Sequence, residues 1–390
     1  MNILFVVGMF ARNEKDSALS GMPYAVYKSA LGMKEIGHEV RILSVASEDK
    51  IWTYRGIEVT AVRAEHGLEA GSELPGILKS LYCIINREYK LRKKILNLHK
   101  EKTIDIIQYG GWFGIGLLHP SKIPGIMRIS TYTKVQLVNN FEKKKKKLLE
   151  TAEYLAAKRM NFVFAPSRVM AQGVEKDIKR KTAVIETPYL QEEIKWNDRI
   201  VRLKLKDKRY LLFFGRMSVD KGILVIKEIL YKTLEKYSEI YFVFAGNSWM
   251  HNGIMIEKEL LNEAKGYKER VVFLGQLSKD LLMPVVQNAE MILMPSLADN
   301  FPNSCAEAMA LGKIVIGTDG SSLEQFIEND RNGFLAEIGD SNSLFNCLEY
   351  VMRLNIKQKM LISENARERI KNLNLREYSE NMERIYIKLI

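Results

Sequence analysis

Two consecutive series of alternating strand and helix patterns predict an α/β protein of two doubly wound, Rossmann-like parallel-sheet domains facing a central cleft. Three observations carry that expectation. Short β-branched or aromatic runs end in glycine or polar loops and pass into helical periodicity, first over residues 1–188 and again from residue 210. The 390 residues are 47% hydrophobic with nine prolines, enough for two cores of ordinary size. Between the two series the periodicity fades through QEEIKWNDRIVRLKLKDK, a charged connecting segment. Domains are therefore expected over residues 1–200 and 201–374, with a final helix over 375–390 that places Tyr378, Met382, Ile385, Tyr386 and Leu389 at helical spacing.

The first series opens as a βαβ unit: a strand over 3–7, a polar loop to Gly21, a helix over 22–36 closed by Gly37, and a strand over 40–44. Further strands are read at 56–62, 104–109, 125–130, 162–165 and 183–186, with a helix over 148–160. The second series reads strand from 210, helix 221–236, strand 241–245, helix 253–264, strand 271–274, helix 281–287, strand 291–295, helix 306–311 and strand 313–317. From residue 341 the pattern is almost wholly helical.

Composition narrows the function classes. Cys83, Cys305 and Cys347 fit neither a metal spacing nor an even disulfide framework, which points to a reducing compartment. The chain goes straight into MNILFVVG with no basic lead, and no apolar run approaches eighteen residues, so a cytoplasmic protein is expected. Its net charge of +12 is uneven: residues 1–200 hold 33 Lys and Arg against 22 Asp and Glu. Two clusters stand out, five lysines over 143–147, and Lys90, Arg92, Lys93 and Lys94 in a helical pattern with Leu78, Leu81, Tyr82 and Tyr89. Such clusters suit a peripheral contact with an anionic inner membrane face, or are simply a solvated face. Lysine runs without interleaved aromatics make poor nucleic-acid platforms, and no nucleic-acid partner is expected.

The chemistry concentrates in the second series. The stretch PSLADNFPNSCAEAMALGKIVIGTDGSSLE (295–324) reads strand end, loop, helix, strand and turn. Its loop carries Asp299, Phe301, Pro302, Asn303 and Ser304 ahead of a helix holding Glu307, and free N–H groups at a helix start suit a phosphate-bearing ligand. Ser304 and Glu307 equally fit an S-x-x-E capping box, which would leave Glu307 a local role. Upstream, GRMSVDKG (215–222) follows RYLLFF and puts Gly215, Arg216 and Lys221 on one loop at the carboxyl end of a strand, where open sheets bind ligands. Two cations there can hold a diphosphate, Arg by its fork and Lys as a point charge. In the first series GGWFGIG (110–116) lacks the G-x-G-x-x-G order of a nicotinamide site, and with Gly111 and an exposed Trp112 at a strand end it better suits an acceptor pocket.

GRMSVDKG, FVFAGNS and the segment from VVFLGQLSKD to GFLAEIGD together resemble the family-four group of retaining glycosyltransferases of GT-B architecture, the glycosyl transferases group 1, over residues 210–340. The family's E-x7-E pair stands here as Asp299 and Glu307, the first one methylene shorter. SGMPYAVYKSALGMKEIGHEV resembles the family's opening helix, with Gly21 matching the second glycine of a pair and Ser20 replacing the first. The resemblance implies transfer of a sugar, hexose or N-acetylhexosamine, from a nucleoside diphosphate, with uracil the commonest base, to a saccharide or lipid-linked acceptor in surface polysaccharide synthesis. Gly21, Gly215, Arg216, Lys221, Gly275, 301–304, Glu307 and Glu324 would bind the donor. Arg216 and Lys221 would neutralise the diphosphate, Glu307 the ribose hydroxyls and Asp299 the transferred sugar. Where family members often carry a histidine this chain reads ISTYTK, leaving Tyr132 and Lys134 beside Gly111 and Trp112 as the acceptor-side residues. It also implies that the 375–390 helix crosses back to the first domain. No D-x-D pair is present to hold a divalent ion, so neither metal nor cofactor is expected. Of the alternatives, an epimerase of the same plan would need its own acid-base pattern, and a phosphorylase a lysine-held pyridoxal group, neither of which can be placed.

Overall fold

Strands covered by helices on both faces must be apolar on both, and the near-continuous apolar runs of this chain become such strands. The computed structural model describes residues 1–13, 19, 21–64, 76–135 and 143–390. It divides the chain into two units, Met1–Leu190 with Asn374–Ile390, and Gln191–Leu373. The division falls ahead of residue 200 because the connecting segment is tied to the second unit: the Asn197 N–H donates to Asp280 O at 3.0 Å, and Glu192 pairs with Lys279.

The first unit runs β1 (Asn2–Val7), α1 (Gly21–Glu35), β2 (Glu39–Ala46), β3 (Lys50–Tyr54), β4 (Ile57–Arg63), α2 (Gly76–Glu101), β5 (Ile106–Gly111), β6 (Gly125–Ile129), α3 (Lys143–Arg159), β7 (Phe162–Ala165), α4 (Arg168–Ile178) and β8 (Ala183–Val184). Its eight strands lie in the order β3-β4-β2-β1-β5-β6-β7-β8, parallel except for β3. The sequence reading missed β3. Arg55 and Gly56 both take positive φ, the geometry of a two-residue hairpin turn, and fold it back on β4. Successive residues of β1 serve opposite faces, Leu4 and Val6 in the core with α2, Ile3, Phe5 and Val7 in the core with α1.

That second core is completed from the far end of the sequence. Helix α11 (Leu375–Ile387) buries Tyr378, Met382 and Tyr386 against α1 and the sheet. Gly32 of α1 allows the approach, since a Cβ there would lie 2.1 Å from Ser379 Oγ. Two hydrogen bonds fix it, Ser29 Oγ with Tyr378 Oη at 2.8 Å and Tyr386 Oη donating to Gln108.

The second unit runs β9 (Arg209–Phe214), α5 (Ile223–Lys236), β10 (Ile240–Ala245), β11 (Met250–His251), β12 (Ile254–Met255), α6 (Ile256–Glu263), β13 (Val271–Gly275), α7 (Lys279–Asn288), β14 (Met291–Leu293), α8 (Asn303–Ala310), β15 (Val315–Thr318), β16 (Phe334–Ala336), α9 (Ser341–Arg353) and α10 (Ile356–Lys371). The main sheet is parallel in the order β13-β10-β9-β14-β15-β16. Where a helix is expected over 253–264, Asn252 and Gly253 at positive φ turn β11 into β12, and α6 starts only at Ile256.

The chain leaves β9 toward β10 and β13, then returns to place β14 on the other side of β9. The loops after β9 and β14 therefore flank the switch point of this sheet, the place where open α/β sheets take ligands. In the first unit the same argument selects the ends of β1 and β5.

Gly222 has φ +72 and a Cβ on it would lie 1.7 Å from Pro295 O, so Gly222→Ala should destabilise the second unit by more than about 2 kcal/mol in chemical denaturation of the whole chain. In the first unit, α3 buries Glu153, which accepts from Thr133 N and Oγ1 at 2.8 and 3.1 Å. Burial raises its carboxyl to about 7 against those hydrogen bonds. The native state thus holds a proton that the unfolded chain releases near pH 4.5, and first-unit stability should fall by about 3 kcal/mol as pH climbs from below 4.5 to above 7. Glu153→Gln should flatten that slope in urea titrations across the window.

Candidate functional site

The loops flanking the second unit's switch point are locked together by backbone. Asp220 O accepts from the N–H groups of Leu297 and Ala298 at 2.9 and 3.2 Å, and Gly222 packs directly on the Pro295 carbonyl. Across this seam Lys221 Nζ meets Asp299 Oδ2 at 2.5 Å, both side chains largely buried. Two residues 78 apart in sequence are thus neighbours because β9 and β14 are.

Arg216 is oriented rather than loose. Its Nη2 donates to Asp220 Oδ2 at 2.8 Å and its Nε to Ser218 Oγ at 3.2 Å, while the guanidinium lies 4.5 Å from the ring of Trp249. Burial disfavours the Asp220 carboxylate, but hydrogen bonds from Ser218 and Arg216 and the charges of Arg216 and Lys221 outweigh it and hold its pKa below the usual range. Gly215, at φ +125, accepts the next loop closely: a Cβ on Gly246 would sit 1.8 Å from its carbonyl oxygen. Gly275, at φ +67, accepts the Gly246 N–H at 2.8 Å.

Helix α8 begins at Asn303, with Pro302 as its N-cap and no side-chain capping bond. Ser304 therefore lies inside the helix, and the capping-box alternative for Glu307 is removed. Glu307 Oε1 instead faces Lys279 Nζ at 3.2 Å, and the same ammonium reaches Glu192 at 3.0 Å. Asn303 and Ser304 are partly exposed in the first turn, where helix N–H groups point outward. Phe301 and Pro302 are buried and shape the loop. Phe301 holds φ +68, a strained value for a large side chain, fixed by its ring 4.2 Å from Phe326 and by its N–H donating to Ser322 Oγ at 3.1 Å. Glu324 accepts from Gly320 N and closes the turn after β15.

The sequence reading missed Lys279, Glu192 and Trp249. Lys279 opens α7 after β13 in the strand, glycine, helix order that marks Lys221, and that repetition was the available signal. Glu192 and Trp249 have no comparable motif.

The acceptor-side residues are more enclosed than their glycine-rich sequence suggests, and Gly111, Trp112 and Tyr132 line one small cavity. Trp112 is only partly exposed: it packs on Phe113 at 4.6 Å between centroids, and a Cβ on Gly8 would strike its ring. Tyr132 is 1% exposed and donates to Asp177, and Lys134 pairs with the same carboxylate. Gly111 is buried at the end of β5. Gly21 heads α1 at φ +57 with open space at its Cβ position, while Ser20 lies outside the described residues. Among the described histidines, His119 shares a 2.9 Å hydrogen bond with Tyr109, with its pKa lowered to about 4 by burial, and His38 pairs with Glu383. Among the described residues no group of three or more His, Cys, Asp and Glu is placed to hold a metal ion.

Comparison with known proteins bears on this arrangement. An uncharacterized glycosyltransferase of Methanocaldococcus jannaschii is 25% identical over 78% of each chain. The lipopolysaccharide 1,2-N-acetylglucosaminetransferase of Salmonella typhimurium is 29% identical over 42% of this chain and 43% of its own length. Among solved structures, the sucrose-phosphate synthase of Thermosynechococcus elongatus superposes with a TM-score of 0.77 at 17% identity, covering 100% of this chain and 99% of that one. The Anabaena protein HepE in complex with UDP and glucose does so at 0.73 and 16% identity, with both chains fully covered. These likenesses show the GT-B fold, two Rossmann-like parallel-sheet domains. Residues 194–369, nearly the whole of the second unit, match the family model of Glycosyl transferases group 1, so that unit carries the domain of this glycosyltransferase family.

Proposed function

We propose that this protein moves a hexosyl or N-acetylhexosaminyl group from a nucleoside diphosphate sugar, UDP-linked, to a hydroxyl of a saccharide or lipid-linked acceptor, with retained anomeric configuration and without a divalent metal. The observation that carries the reading is the meeting of Lys221 and Asp299 across the switch point, with Arg216 held beside them. A diphosphate at that seam takes Lys221 and Arg216 as charge partners and the first-turn N–H groups of α8 as donors. Glu307, steadied by Lys279, then accepts from the ribose hydroxyls, and Asp299, released from Lys221, turns to the transferred sugar.

Charge grows on the leaving phosphate as the glycosidic bond breaks, so cations fixed there stabilise the transition state more than the ground state. No side chain is assigned as a nucleophile. The acceptor hydroxyl attacks the same face, and the departing phosphate takes its proton. Support for the nucleotide comes from HepE, solved with UDP and glucose. Support for the acceptor class comes from the Salmonella lipopolysaccharide enzyme and the Mycobacterium leprae phosphatidyl-myo-inositol mannosyltransferase, each matching less than half of its own length.

Incubation with labelled sugar nucleotides should release the nucleoside diphosphate, and excess EDTA should leave turnover unchanged. Lys221→Ala should lower kcat/KM roughly a hundredfold or more, about 3 kcal/mol of transition-state stabilisation; a variant that turns over normally removes the site. NMR of the product settles the stereochemistry, since an inverted linkage excludes the same-face attack.

A further inference from the structure

Helix α2 is apolar on two opposite faces. Inward it buries Cys83, Ile84, Leu91, Ile95 and Leu98. Outward, Leu78, Tyr82, Ile85, Tyr89 and Leu96 are 55, 63, 49, 59 and 37% exposed, and their spacing aligns them in one stripe. A surface helix serving only its own core places charge there. Yet among the described residues no helix is long and apolar enough to cross a membrane, which leaves a stripe suited to lying on a surface.

Both ends of the stripe are flanked by positive charge. Lys145, in the five-lysine start of α3, brings its Cε to 3.0 Å from where a Cβ on Gly76 would lie, beside the first residue of α2. Toward the other end, Lys90, Lys93 and Lys94 join Lys50 and Arg63 around a groove of about 650 Å³. The first unit holds 34 Lys and Arg against 22 Asp and Glu, while the second holds 25 of each, so the whole +12 resides with α2.

The same helix holds the loop that follows β5. Buried Arg87 donates to Phe113 O at 2.7 Å, and buried Glu88, its neighbour and ion partner, accepts from Gly116 N at 2.9 Å. Arg92 donates to Leu118 O and His119 O at 3.0 and 3.1 Å. Side chains of α2 thus hold the backbone of residues 113–119, at the first unit's own switch point.

We propose that α2 seats the first unit on an anionic lipid bilayer, with Tyr82, Ile85 and Tyr89 in the interface and the flanking lysines over lipid phosphates, and that the loop after β5 receives an acceptor carried by a lipid of that bilayer. The acceptor half rests on the transferase reading above. Flotation with vesicles of phosphatidylcholine containing roughly 30 mol% phosphatidylglycerol should carry the protein up, at least about tenfold more than pure phosphatidylcholine vesicles, and less at high salt. Ile85→Glu with Tyr89→Glu should abolish flotation while leaving the thermal shift given by UDP intact, because both positions are exposed and lie in the other unit from the donor site.

Hydrogen exchange over residues 113–119 should slow on anionic vesicles in the wild type and not in that variant. Absence of flotation, flotation indifferent to the substitutions, or a lipid-free dimer dissolved by them overturns the docking surface. Unchanged loop exchange on bound vesicles overturns the link to the acceptor. Loss of nucleotide release with flotation preserved strikes the transferase reading alone, so the two failures are distinguishable.

Discussion

The seam between the loops after β9 and β14 is the constraint on which the rest of the second unit depends. The parallel sheet brings the two loops side by side, but only a residue without a Cβ lets the β9 loop sit on the Pro295 carbonyl. With Gly222 in place, the Asp220 carbonyl receives two amides of the neighbouring loop, and Lys221 is delivered to Asp299 with little freedom. Orientation fixed by backbone costs no side-chain entropy when a ligand arrives. Arg216, Lys221 and Lys279 each face a carboxylate. An incoming diphosphate would exchange partners inside a nearly neutral cluster, so shape and hydrogen-bond direction contribute more to its selection than bulk attraction.

What could be read from the sequence follows from range. Strands in a doubly wound sheet are apolar on both faces, so RYLLFF or NILFVV announces itself, and the glycine after each marks the turn. The pairing of β9 with β14 was legible only through the family resemblance, because no local signal links residues 78 positions apart. The charged pairs Glu192–Lys279 and Lys279–Glu307 were hidden for the same reason. Errors in the other direction came from reading local context as exposure. Trp112 sits among glycines in sequence, yet Gly8, at the end of β1, lies against its ring and closes that side to solvent.

The hairpins β3–β4 and β11–β12 teach a narrower lesson. Both turns are two residues long, Arg55-Gly56 and Asn252-Gly253, with positive φ throughout. The Asn-Gly pair is a strong hairpin signal that helical periodicity in the following residues masked, whereas Arg-Gly is a weak one. In the first case the turn hides the strand before it, and in the second it delays the expected helix to Ile256.

The closure of the first core by α11 bears on the order in which the polypeptide matures. Ser29 and Tyr378 are separated by 349 positions, yet they share a buried hydrogen bond. During synthesis the core between α1 and the sheet stays incomplete until residues 374–390 have been made. By then every segment of the second unit is already available to fold. The N-terminal half thus matures last, and its long-range contacts make it the slow and aggregation-exposed partner in biogenesis.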